Sequence, residues 1–392
     1  MGQYLSDPVW QSVRVAMNEF KLLNRLDPGL LLDWLRPVWG YLAGRGLVRP
    51  EGSGAGLDCD RLAEILMGSD AGMPRVLVDS LCLVQGMATE AGMDLLVVAA
   101  REEGLDLESG VEPTPENVAV RAWLSCPALM ERVHACHVVS RRRAFTHFSM
   151  ALDPPPVFPA PLPVKLRAIE KRLDDFYRAS SRGGGARVFA CARPREWWFV
   201  IRHGLAMRRF ESLTGGDLST VCFRPVGYDV LAYEPERGLL RIHCGTVRER
   251  TVILRAFGSC FFGDPAVFPP SSRYTLGPLL EPGRTSFACA GIPGARSVQL
   301  TGLEIHSPGS PSGRITIDAE DVFRFLCSGR VEPPRHGGDL TRATFTVNFA
   351  GEIRARTFSV IPSNKLLYSR EADSDWVEPW LEQHGFVHRT ES

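Results

Sequence analysis

The segment DPPPVFPAPLP, residues 153–163, has six prolines in eleven positions. Proline lacks a backbone N–H and fixes φ, so this segment is excluded from a helix interior and favours an extended, semi-rigid conformation. The residues before and after it differ in their pattern of apolar positions. We therefore expect a proline-rich linker at 153–163 between a helical domain, 1–152, and a β-rich domain, 164–392.

The first half has the apolar spacing of α-helices. Its apolar residues recur three or four positions apart, as on one face of a helix. Thr114 precedes Pro115 and Glu116, an order that is typical of a helix start. Helices are expected within 27–48, 58–68, 74–104, 114–124 and about 127–143.

After the prolines a charged helix is expected over 164–182, and short apolar runs then alternate with glycine and proline. The clearest unit is YDVLAYEPERGLLRIHC, which predicts two strands around a turn. Two late helices are expected, one with Asp318 as its N-cap and one over 374–385 that ends at Gly385. Strands are expected at 186–192, 197–203, 220–225, 228–234, 239–244, 251–258, 297–305, 313–317, 343–349 and 356–361.

These patterns predict the fold class α+β, with an all-helical N-terminal domain followed by a mainly antiparallel β-rich C-terminal domain with a few helices. No apolar run is long enough to cross a bilayer, and the N-terminus lacks the pattern of a signal peptide. Cysteines occur ten times, never as Cys-x-x-Cys, and Cys82, Cys222 and Cys260 are predicted to be reduced core residues. The expected location is cytoplasmic, with no membrane partner and no cofactor.

The charge of the chain is balanced overall but uneven along its length. There are 45 acidic and 45 basic residues, and only four of the basic ones are lysine, a bias typical of a GC-rich, bacterial genome. Residues 1–110 carry 16 acids and 9 bases, a net of −7, whereas residues 161–210 carry 4 acids and 12 bases, a net of +8. The second segment is therefore the candidate surface for an anionic partner.

Arginine and lysine interleaved with aromatic residues are typical of proteins that hold single-stranded DNA or RNA. The alternative is a solvated basic face that docks on the acidic N-terminal domain. The candidate nucleic-acid-binding residues are Lys165, Arg167, Lys171, Arg172, Arg178, Arg182, Arg187, Arg195, Trp197, Arg202, Arg208 and Arg209.

Arg202-His203-Gly204, at the end of an apolar run, resembles the signature of the histidine phosphatase superfamily. The resemblance covers about ten residues and implies that His203 accepts a phosphoryl group, with Arg202 on the phosphate and His336 as the second histidine. The family has a parallel sheet, whereas the successive strands after residue 205 indicate antiparallel pairing. We therefore prefer an inner strand that ends in a basic turn, and retain the phosphatase as the alternative.

Two weaker patterns concern metal ions. His134 and His137 would share one face of a helix, and with Cys136 and His147 they form a weak candidate metal site that lacks a paired Cys-x-x-Cys. Asp229 resembles the first acid of a restriction-type nuclease core. The next strand carries Arg241 and His243 where that core needs an acid and a lysine.

Because no catalytic set is complete, the sequence favours a non-catalytic binding or scaffold subunit of a bacterial multiprotein assembly. Other protein subunits are its expected partners, and DNA or RNA is a further one through residues 165–209. A part in antiviral defence is the accompanying hypothesis. The alternative is a phosphate-ester hydrolase that uses His203.

Overall fold

A computed structural model describes residues 22–51, 56–68, 72–110, 112–140, 144–214, 217–270, 272–281, 287–307, 313–328, 339–368 and 373–388. The chain divides into two compact units, residues 1–137 and 138–392.

Helices make up the regular structure that is described in the first unit. Asp27, Asp58, Thr89 and Thr114 each accept a hydrogen bond from a first-turn N–H, so side-chain caps begin four of these helices. The helices are α1 Pro28–Leu35, α2 Trp39–Gly44, α3 Cys59–Met67, α4 Arg75–Met87, α5 Glu90–Glu102, α6 Pro115–Ser125 and α7 Pro127–Val139, whose last turn crosses the unit boundary, with a 3-10 turn Arg36–Val38 after α1.

No single helix in the described ranges is both long and apolar enough to span a bilayer. Helices α4 and α5 meet that test only when they are joined, and they are bent by 106° at their break.

The second unit is built on a large antiparallel sheet. Ten described strands form it in the order β2-β3-β6-β7-β1-β12-β11-β10-β8-β9, and β4 and β5 form a separate two-stranded ribbon. The strands are β1 Ala144–Ser149, β2 Arg187–Ala192, β3 Trp197–Gly204, β4 Arg208–Thr214, β5 Asp217–Phe223, β6 Val226–Glu234, β7 Leu239–His243, β8 Ala295–Ser307, β9 Gly313–Asp318, β10 Asp339–Phe349, β11 Arg356–Ile361 and β12 Lys365–Tyr368.

Helices cover parts of both faces of this sheet. On one face, Phe199 and Leu231 pack with buried residues of α8 and α9. On the other face, Trp380 of α11 packs against Phe345 and Phe358. The helices of the second unit are α8 Pro163–Ala179, α9 Val247–Phe262, α10 Val322–Cys327 and α11 Ser374–Gln383, with a 3-10 turn Gly277–Leu280.

The early helices and the large antiparallel sheet of the second half confirm the α+β class. The strand predicted at 251–258 is wrong, since these residues lie within helix α9. Thr246 caps that helix, and Ile253, Phe257 and Phe261 lie on its buried side at helical spacing. The β-branched residues of TVILRAFG had favoured a strand.

Residues 144–149, inside the range predicted to be helical, form strand β1 in the middle of the sheet, between β7 and β12. The first compact unit ends at residue 137. The proline-rich segment 153–163 therefore connects β1 to α8 within the second unit.

Three smaller predictions can also be compared with the structure. The N-cap of α10 is Asp321, not Asp318. Gly385 follows α11 with a φ of +78°, as a C-terminal glycine should. Cys82, Cys222 and Cys260 are not in disulfides, as expected, but the first two are exposed rather than part of a core.

The proline-rich segment also contributes to the core of the second unit. The ring of Phe158 lies 4.9 Å from that of Tyr233 and 5.0 Å from that of Phe261, between centroids. Extended backbone delivers this ring to the aromatic cluster without needing backbone hydrogen bonds from its prolines.

We expect Phe158→Ala to lower the free energy of unfolding by about 2–4 kcal/mol, because it removes a half-buried ring from a packed cluster. Val157, next to it, is 96% exposed and provides the matched control. Val157→Ala should change stability by less than about 0.5 kcal/mol. Guanidinium unfolding followed by circular dichroism measures both, and equal effects would contradict the packing of this segment.

Candidate functional site

Two groups of buried charged residues lie on opposite faces of the sheet. We call the first the histidine–carboxylate cluster: His203 on β3, Asp229 on β6 and Glu249 on α9. We call the second the arginine cavity, a space of about 570 Å³ that Arg241 of β7 and Glu378 of α11 help to line. Only the first contains a residue of the Arg202-His203-Gly204 motif.

The histidine–carboxylate cluster arises from the register of β3 and β6. Ile201 pairs with Asp229 and His203 pairs with Gly227, so His203 and Asp229 are diagonal neighbours on one face. Glu249 joins them from the first turn of α9, where Thr246 caps the helix. Among the described residues, this is the one group of three or more possible metal ligands whose ligand atoms all lie within 4.8 Å of one another.

The distances in this cluster are short and its side chains are buried. His203 Nε2 lies 3.1 Å from Asp229 Oδ2 and 3.7 Å from Glu249 Oε1, and the three side chains are 1–7% exposed. Arg182 reaches the same Glu249 oxygen at 2.6 Å. The ring of Tyr177 stacks on the imidazole, 4.4 Å between centroids and 9° between planes.

The protonation of these groups follows from their surroundings. Burial would lower the pKa of His203, but the close contact with the Asp229 carboxylate raises it above its ordinary value. Burial and the neighbouring Asp229 raise the pKa of Glu249. Burial and both carboxylates raise the pKa of the Cys244 thiol to about 12, so it remains protonated at neutral pH.

The arginine cavity contains charges of both signs. Burial would lower the pKa of Arg241, but Glu196 raises it, so this arginine stays charged. Arg241 Nη2 donates to Glu196, whereas no described residue accepts a well-aligned hydrogen bond from its Nη1. Among the described residues, four arginines line the cavity, Arg193, Arg195, Arg237 and Arg241, together with four acids, Glu196, Glu234, Asp375 and Glu378.

Beneath this cavity, Glu378 is surrounded by donors. Its Oε1 lies 2.7 Å from His147 Nε2 and accepts a hydrogen bond from Tyr274 at 2.9 Å, and its Oε2 accepts one from Arg273 at 3.2 Å. Burial alone would raise the pKa of Glu378, but the contact with His147 and the two arginines, Arg273 and Arg241, hold it well below its usual range. Burial lowers the pKa of His147, so its ring is neutral at pH 7 and donates through Nε2.

The residues of the predicted nucleic-acid surface are dispersed. Arg178 and Arg182 form ion pairs with Asp174 and Glu249. The ring of Trp197 packs against that of Phe158, 6.5 Å between centroids, and is half-buried, so it is not an open platform for bases. Exposed basic side chains remain on α8, at the cavity and on β4: Arg167, Lys171, Arg172, Arg195, Arg208 and Arg209. Of the others, Lys165 lies over the ring of Phe261, Arg187 lies 4.0 Å from Glu170 and Arg202 lies over Phe189.

The two motif residues Arg202 and His203 face opposite sides of the sheet, as neighbours on a strand must. His336, the second histidine of the phosphatase alternative, lies outside the described residues.

The weak metal site at 134–147 is not assembled among the described residues. His134 packs its ring on Gly86, where an added Cβ would lie 2.7 Å from Nε2. Cys136 is disulfide-bonded and so offers no thiolate, and His137 lies in the last turn of α7. His147 is engaged by Glu378 on the sheet.

Sequence reasoning found His203 and Asp229 separately and missed Glu249, Arg241 and Glu378 as parts of a site. Thr246-x-x-Glu249 is the pattern of a helix start and could have placed Glu249 at the N-terminus of a helix. No local signal places Glu378 beneath a cavity. No protein-family model matches the sequence, and no curated protein matches it significantly.

Lowering the pH from 7 towards 4 should destabilise the protein through the buried pair beneath the cavity. In the unfolded chain His147 takes up a proton near pH 6.5 and Glu378 near pH 4.5, whereas both pKa values are lower in the folded state. The unfolded state therefore binds more protons, and stability is lost as the pH falls. Urea unfolding across this pH range measures the slope.

We expect Glu378→Gln to remove about 3–5 kcal/mol of stability at pH 7, because it leaves buried cations without their carboxylate. Its stability should also depend less on pH below 5. Glu382, one turn later on α11 and 40% exposed, is the matched control. Glu382→Gln should cost less than about 1 kcal/mol. If the free energy of unfolding of Glu378→Gln fell with pH as steeply as that of the wild type, Glu378 would not be the source of the acid sensitivity.

Proposed function

We propose that this protein is a binding component whose arginine cavity takes the phosphate group of a nucleotide or of single-stranded nucleic acid. The observation that carries the proposal is Arg241: its guanidinium is buried at the cavity, Nη2 donates to Glu196, and no described residue accepts a well-aligned hydrogen bond from Nη1. A planar guanidinium with unused donors is suited to a phosphate oxygen.

Three of the four acids named at the cavity have basic or hydrogen-bonding neighbours, and Glu234 among them lies 3.7 Å from Arg237. Glu196 accepts from Arg241 and from the indole of Trp198, and Glu378 accepts from His147, Tyr274 and Arg273. Burial raises the pKa of Glu234, which favours its neutral form.

Arg195 is exposed at the cavity and forms no ion pair within the described ranges of the chain. Together with the unused donors of Arg241, it gives the site a capacity for an anion. A volume of about 570 Å³ lies within the range of small-ligand sites.

The proposal retains the binding role predicted from sequence and changes its location. Arg195 is the member of the predicted basic set that reaches the cavity, whereas Arg167, Lys171 and Arg172 lie on the exposed side of α8.

Protein partners remain part of the proposal. The ribbon β4–β5 supports them, because Phe210 and Phe223 stack on a two-stranded arm while 39% and 44% exposed.

Phosphoryl transfer at His203 stays a prediction from the motif. Two carboxylates within 3.7 Å of Nε2 would repel a phosphate dianion there, and the site that favours phosphate lies on the other face of the sheet.

Binding of a fluorescent 5′-phosphorylated oligothymidylate, followed by anisotropy at low and at physiological salt, tests the proposal. We expect binding that weakens with salt and that inorganic phosphate competes away. Arg195→Ala and Arg241→Lys should each weaken it about 10-fold or more, since each removes charge-assisted hydrogen bonds. The same oligonucleotide without its 5′-phosphate distinguishes a terminal phosphate from the backbone as the bound group.

Arg167→Ala is the matched control, because this exposed arginine on α8 does not line the cavity. It should leave affinity unchanged. Equal losses in Arg167→Ala and Arg195→Ala would place binding on a diffuse basic surface, and no binding by wild type at low salt would end the proposal.

A further inference from the structure

The hydrogen bond of the His203 ring to its neighbour indicates which ring nitrogen carries a proton. Nδ1 lies 3.0 Å from the carbonyl oxygen of Gly204. A carbonyl oxygen can only accept, so Nδ1 donates its proton to it. In the neutral ring Nε2 then presents a lone pair, which is the arrangement of histidines that bind metals through Nε2.

That lone pair converges with the oxygens of two carboxylates. Asp229 Oδ2 is 3.1 Å from Nε2, and the imidazole is only 2% exposed. Even so, no described residue forms a well-aligned hydrogen bond with this nitrogen. With a lone pair on Nε2 and both carboxylates ionised, these three acceptors would repel one another unless a positive charge lay between them. Ligand atoms that point at a shared ion lie close together but are poorly aligned for hydrogen bonds to one another.

The spacing also fits such an ion. Zinc binds nitrogen and oxygen ligands at about 2.0–2.2 Å in a tetrahedron, which puts neighbouring ligand atoms about 3.3–3.5 Å apart. The distances from His203 Nε2 to Asp229 and Glu249, 3.1 and 3.7 Å, lie on either side of that value. Arg182 offsets the charge of Glu249. When the His203 ring is neutral, no described residue offsets the charge of Asp229, whose Oδ2 accepts only a long hydrogen bond, 3.5 Å, from the Tyr177 hydroxyl.

We propose that His203, Asp229 and Glu249 bind one divalent transition-metal ion of the zinc type, with a water molecule as the fourth ligand. The stacked ring of Tyr177 holds the imidazole in the orientation that this requires. Because the three side chains are almost fully buried and come from β3, β6 and α9, the ion ties the helix to the sheet.

Cobalt(II) added to full-length protein after dialysis against a chelator tests this site. We expect one cobalt ion to bind per chain and zinc to displace it. The bound cobalt should show visible d–d absorption but not the strong near-ultraviolet band of thiolate ligands. The absence of the thiolate band matters because the chain also contains cysteines that are not in disulfides. His203→Gln and Asp229→Asn should each weaken binding at least tenfold.

His243→Gln is the matched control. This histidine lies on β7, and its Nδ1 lies 2.7 Å from the Ala144 carbonyl oxygen, outside the cluster. It should leave cobalt binding unchanged. Equal cobalt binding by His203→Gln and His243→Gln, or no stoichiometric uptake by wild type, would overturn the proposed metal site. A proton on Nε2 would then offset the negative charge of the cluster instead.

A second measurement does not depend on the folding of any variant. X-ray absorption of the zinc-loaded wild type should show nitrogen and oxygen ligands at about 2.0–2.1 Å. Sulfur in the first coordination shell would overturn the assignment.

Discussion

The alternation of side chains along the central strands determines where chemistry can occur in this protein. Successive residues of a strand face opposite sides of a sheet, so a shift of one residue exchanges the two sets. In the observed register, His203 and Asp229 lie under α9, while His147 and Arg241, which pair directly across β1 and β7, lie on the face that α11 covers. The two candidate sites are therefore separated by the sheet itself.

Each face then has to compensate buried charge, and the two do so differently. Beneath the cavity, Glu378 has hydrogen-bond donors on both of its oxygens, and its low pKa reflects that surplus of positive partners. In the histidine–carboxylate cluster, two carboxylates have one arginine and a histidine whose Nε2 is poorly aligned with both. Among the described residues, the cluster therefore sets two carboxylates against one arginine and one histidine, whereas at the cavity Arg241 Nη1 has no well-aligned acceptor.

Local patterns predicted most of the elements. Thr114 begins a helix, Gly385 follows one, and the hairpin at 228–244 forms β6 and β7. The same kind of reasoning was wrong at 251–258, because β-branched residues favour a strand only when no helix cap and helical burial pattern compete with them. That error hid Glu249, since a helix start at Thr246 is what directs its carboxylate to His203. The motif at 202–204 did point to a residue with unusual surroundings, since His203 lies beside two buried carboxylates.

The sequence by itself determined most of the helices and strands, the antiparallel character of the sheet and the concentration of basic residues after the prolines, because caps, turns and charge are local properties. Tertiary structure alone decided that β1 enters the middle of the sheet, that Phe158 fills an aromatic core, and that residues 203, 229 and 249 meet. Such meetings depend on strand order and on the packing of helices across a face. Apolar periodicity identifies which side of an element is buried, but not which distant element will cover it.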